Sequence, residues 1–160
     1  MSEQFANPSS SGPAEELLRE FSEKSGVDIE LDEGGAASLT VDGVGVTAQF
    51  RAQTGDVVVF TLPLDDLQVE EPMMRRGLEL SAHGIGTDGF YLGLQEGAFV
   101  LSGVMPLEGL GAEEFARALL RLAAASRSVA SALLQAVADG VLEEGAPGGA
   151  DDGNLFSLRV

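Results

Sequence analysis

AASLTVDGVGVTAQFRAQTGDVVVFTL, residues 36–62, alternates apolar and polar side chains over most of its length. Ala37, Leu39 and Val41 share one face, and Asp42-Gly43 then suits a hairpin turn. Beyond the turn Val44, Val46, Ala48 and Phe50 point one way, while Gly45, Thr47, Gln49 and Arg51 point the other. Period two belongs to a strand with one face on a core and one face free. Thr54-Gly55-Asp56 turns the chain again. Val57-Val58-Val59-Phe60-Thr61-Leu62 follows, apolar on both faces at its start, which predicts a central strand.

On the N-terminal side, Ile29 and Leu31 alternate with Asp28, Glu30 and Asp32, as on a solvated strand face. Pro13 suits the first position of a helix, Glu15 and Glu16 favour its first turn, and Leu17, Leu18 and Phe21 form its stripe up to Gly26. A helix is predicted over 13–25. On the C-terminal side, Pro72 opens a helical segment containing Met73, Met74, Leu78 and Leu80, which ends near Gly84. A second hairpin runs from Phe90 through Gln95-Glu96-Gly97 to Met105. The longest helix starts at Glu113 and Glu114. Phe115, Leu119, Leu122, Val129, Leu133 and Val137 make its stripe, and Gly140 is its expected end. The predicted order is α-β-β-β-α-β-β-α, an α+β class with a twisted, mostly antiparallel sheet of about five strands and three helices. Residues 1–12 read as a flexible leader and 13–141 as a single domain. Residues 142–160 read as a Gly- and acid-rich linker with an apolar tail, Leu155 to Val160.

Composition narrows the function. Nine Lys and Arg stand against 26 Asp and Glu, a net charge of −17. A duplex or an anionic bilayer would repel such a chain, so neither nucleic acid nor membrane is an expected partner. Cysteine is absent, which removes disulfides, thiolate metal sites and a cysteine nucleophile together. Met1 to Pro8 carries neither a basic region nor an apolar stretch, so no signal peptide is expected there. The expected location is cytoplasmic.

Motifs for chemistry are weak. His83 is the sole histidine and has no nucleophile or ligand partner at a diagnostic spacing. Gly84-Ile85-Gly86-Thr87-Asp88-Gly89 matches G-x-G-x-x-G, but it follows a helix and precedes a strand, the reverse of a dinucleotide site. Asp28, Glu30 and Asp32 have calcium-loop spacing, yet Glu33 stands where the loop needs glycine. No enzyme activity, cofactor or metal is expected. What remains is surplus apolar surface: one layer of helices covers one face of a sheet, and the other face needs water, a second subunit or a ligand.

Three stretches carry a resemblance: Leu17-Leu18-Arg19-Glu20-Phe21 before Gly26; Asp28 to Gly35 with Ala37 to Gly43; and Val100 to Leu107 before an acidic helix start. In this order they resemble the Tir-chaperone (CesT-like) class I chaperones of bacterial type III secretion, over roughly 13–141. The resemblance implies a non-catalytic homodimer that binds an extended N-terminal segment of a secreted effector and keeps it soluble and secretion-competent. It implies cargo-facing patches from Leu17, Leu18, Phe21, Val44, Val46, Ala48 and Phe50, and a two-fold interface through Met73, Met74 and Leu78. The second helix is less leucine-rich than the family pattern. The Leu155–Val160 ending lies outside that pattern but is similar to the ending of regulatory members. The alternative is therefore a regulatory adaptor of the same fold that binds an anti-activator and couples secretion to transcription. A small-ligand protein using Gly84–Gly89 ranks third.

Overall fold

The computed structural model describes residues 12–84 and 87–144, so the expected leader before Gly12 and the tail Leu155–Val160 lie outside the described residues. The elements are α1 (Pro13–Ser25), β1 (Ala36–Val41), β2 (Val44–Arg51), β3 (Asp56–Thr61), α2 (Glu71–His83), β4 (Tyr91–Gln95), β5 (Ala98–Pro106) and α3 (Ala112–Glu144). All four strand pairings are antiparallel, in the order β1-β2-β3-β5-β4. The predicted class, element order and strand number are those of the folded chain.

Local chemistry explains the boundaries. Pro13 occupies the first turn of α1, and Gly26 closes the helix in the left-handed region, its N–H donating to the Ser22 carbonyl. Asp42 and Gly43 both have positive φ, 51° and 80°, as a two-residue type I′ hairpin turn requires.

Two boundaries differ from the sequence reading. Residues 28–32 form no strand; they have no regular structure, and Ile29 and Leu31 press on the core margin. Asp32 turns the chain there, its Oδ1 accepting from the Gly34 and Ala36 amides at 2.9 and 2.8 Å. The second difference is α3, which passes through Gly140 to Glu144. Gly140 lies where an added Cβ would come within 3.3 Å of Pro72 Cγ, so its missing side chain serves the approach of α2 and not a helix stop.

The three helices pack on one face of the sheet. Phe115, Leu119, Leu122, Val129 and Leu133 of α3 are fully buried in one cluster with Val46, Ala48, Val57, Val59 and Leu101. Phe115 meets Phe21 of α1 edge-on at 5.5 Å and Phe50 of β2 at 6.3 Å. Two arginines of α3 grip turns at either side of this layer. Arg127 donates to the Asp42 carbonyl and carboxylate at 2.8 and 2.6 Å. Arg121 does the same to Asp88 at 2.8 and 2.7 Å and lies 5.8 Å from the Phe90 ring centre. On the reverse face Val58, Phe60 and Val100 stay half-buried and Val104 and Tyr91 exposed. No described helix crosses that face.

Candidate protein-binding surfaces

The first surface belongs to α1. Leu17 and Leu18 face inward and are 4% and 5% exposed, and Phe21 is half-buried on Phe115. An open groove of about 570 Å³ separates α1 from the segment 28–31, with Leu18, Ile29 and Leu31 among its lining. Glu15, Glu23, Asp28 and Glu30 also line it. Through the Asp32 turn the segment leads into β1, an edge strand of the sheet. Ala36 turns both its amide and its carbonyl away from β2, since both bond to Asp32. By the two-residue period Ser38 and Thr40 also turn their backbone groups outward, and no described strand pairs with them.

The other expected cargo residues are deeper. Val46 and Ala48 are 2% and 0% exposed beneath α3, Phe50 is buried beside them, and Val44 is half-buried at the sheet end. The structure thus gathers all seven residues at one cluster, but most of that cluster is the chain's own core.

The second surface runs along α2 and β4. Met73 faces the core at 3% exposure, whereas Met74 and Leu78 face out, Leu78 at 72%. The packing is close because residue 77 is glycine: a Cβ there would lie 2.5 Å from Phe99 Cε1. Ser81 donates to the Leu92 carbonyl at 2.6 Å and pins α2 to β4, the other edge strand. Leu94 of β4 is exposed on the same side of the sheet as α2, opposite Phe99, while Tyr91, 75% exposed, points to the reverse face. Neither residue stood out in the sequence, because exposure at a strand edge depends on which strand ends the sheet.

Charge is distributed unevenly. Seven of the eight cations among the described residues already sit in ion pairs, within α1, within α2, at Arg51–Asp56, or at the two α3 grips. Hydrogen bonds from Lys24, Arg51 and Arg121 lower the pKa values of Glu20, Asp56 and Asp88 respectively. The acids in excess of these pairs, Glu15, Asp28 and Glu30 included, give the surface its negative field.

The remaining motifs are placed as follows. His83 ends α2, exposed, with Nδ1 2.9 Å from the Glu79 carbonyl oxygen. Gly84 caps that helix in the left-handed region, and Thr87 to Gly89 turn into β4. The order is therefore helix, turn, strand, and among the described residues no helix starts at Gly84 or Gly89. Among the described residues no three His, Asp or Glu side chains converge as metal ligands, and no helix is long and apolar enough to cross a membrane.

Comparison with known proteins adds the following. Residues 16–130 match the sequence model of the Tir chaperone protein (CesT) family. A chain in the structure of the HopA1–SchA chaperone–effector complex shares the fold at 19% identity, with a TM-score of 0.59, covering 74% of this chain and 94% of that one. A chain in the crystal structure of the ExsC–ExsE complex is 27% identical, with a TM-score of 0.58, covering 70% and 86%. No curated protein matches in sequence.

Proposed function

The chain belongs to the Tir chaperone protein (CesT) family, and from that premise we propose how this protein works as a type III secretion chaperone that binds a secreted effector. The groove of α1, with Leu18, Ile29 and Leu31 among acids in its lining, carries the reading together with the unpaired edge of β1, which follows the same segment in the chain. An extended effector segment adds alongside β1 through backbone hydrogen bonds and sets alternate apolar side chains toward Leu18, Ile29 and Leu31. Phe21 and Val44 flank it, and Leu17, Val46, Ala48 and Phe50 support the groove from within the core. The bound segment is the effector's N-terminal region, held soluble and secretion-competent without catalysis in the cytoplasm.

The protomer works as a homodimer. Met74 and Leu78 of α2 with Leu94 of β4 form the self-complementary patch, and Met73 holds α2 against the sheet from behind. The regulatory adaptor remains the second reading, supported by the 27% identity to a chain of the ExsC–ExsE complex.

Co-expression with secreted proteins encoded beside this gene, followed by size-exclusion with light scattering, tests the proposal. The expected result is a soluble complex of two chaperone chains with one partner. A monomer that solubilises none of them would overturn it. Deleting the gene separates the two readings: loss of a single effector's secretion supports the first, and altered transcription of the whole system supports the second.

A further inference from the structure

A second groove, of about 760 Å³, runs between α2 and the C-terminal half of α3, on the flank of α2 away from Met74 and Leu78. Pro72, Val137 and Val141 are apolar in its lining, and Val141 is 64% exposed. Its cations are already engaged, Arg75 with Glu71 and Arg76 with Glu79, and among the described residues no cation pairs with Glu70 or with Asp139, which accepts only from the Gln135 amide.

The chain carries a segment that matches this groove. Leu155-Phe156-Ser157-Leu158-Arg159-Val160 holds four apolar side chains, and Arg159 is the only cation after Arg127. Ten residues, 145–154, join it to the end of α3 and reach at most about 35 Å when extended. The groove's far end, at Ala132, lies about 18 Å back along the helix from Glu144, well within that reach. Attachment to α3 also keeps the local concentration of the segment high, so a weak fit suffices.

We infer that the segment Leu155–Val160 docks in cis into the groove between α2 and α3, with its apolar side chains on Pro72, Val137 and Val141 and Arg159 against Glu70 and Asp139. This inference stands apart from the cargo site, because the groove lies on α2 and α3 and not on α1 or β1.

The chain has no tryptophan, so Phe156→Trp in the full-length protein places the sole tryptophan within the segment, excited at wavelengths where Tyr91 does not absorb. Emission blue-shifted from that of a synthetic 154–160 peptide carrying the same substitution is expected, at every protein concentration. Adding Val141→Asp should return the emission to that of the peptide while far-UV circular dichroism stays unchanged. Should that variant unfold, Asp139→Lys with Glu70→Lys is used instead, and Arg159→Glu in the same chain should restore the blue shift. Peptide-like emission in the parent, a blue shift that survives the groove substitutions, or one that grows with concentration and so reports docking on a second copy would each overturn the inference.

Discussion

Gly77 shows how a residue's local preference and its packing can oppose each other. In an exposed helix interior, glycine to alanine stabilises by about 1 kcal/mol. Here the added methyl would collide with the Phe99 ring, so Gly77→Ala should instead cost about 1–3 kcal/mol, read as a lower urea midpoint at unchanged slope. The grip of Arg121 on Asp88 makes a second residue-level prediction. The hydrogen bond lowers the folded pKa of Asp88, so its contribution is complete above the unfolded value near 3.9 and fades as pH falls through the folded one. Asp88→Asn should therefore melt below the parent at pH 7, and the gap should narrow as the pH falls below the unfolded value. The exposure of the pair keeps the gap small.

At the level of the element, helices and hairpins whose ends carry their own chemistry were legible: Pro13 and Gly26 bound α1, and Asp42-Gly43 turns β1 into β2. Two readings failed where tertiary contact decides. The alternation at 28–32 has strand spacing but no strand beside it, and Gly140 resembles a stop until Pro72 is seen against it. The site was legible to the same degree. Leu17, Leu18 and Phe21 mark α1 as apolar, yet only the packing of α3 decides that Val46 and Ala48 are sealed while Ile29 and Leu31 line a groove. Two elements carry tests of the proposed surfaces. Leu78→Asp places a charge on the outward face of α2 and should give a monomer by light scattering with its melting curve cooperative. Ser38→Pro removes an outward amide from β1 without breaking a bond to β2, so it should weaken effector capture at least tenfold by calorimetry while stability changes little.

For the whole molecule the net charge of −17 acts as a single object. Raising salt from about 10 mM to about 150 mM shortens the screening length from about 30 Å to about 8 Å, so the chain's self-repulsion should weaken and its melting temperature rise. Under the same change a Lys-rich effector segment should bind more slowly, with most of the loss in the association rate. The order β1-β2-β3-β5-β4 has a further consequence, for the route by which the chain acquires its shape. Two hairpin units, β1 to β3 and β4 with β5, close over short loops, but their seam joins Asp56 to Pro106 and Thr61 to Leu101. Closing loops of that length costs more entropy than a hairpin does, so the seam forms late. In pulsed hydrogen exchange, amides of the β1–β2 ladder should gain protection before those linking β3 to β5.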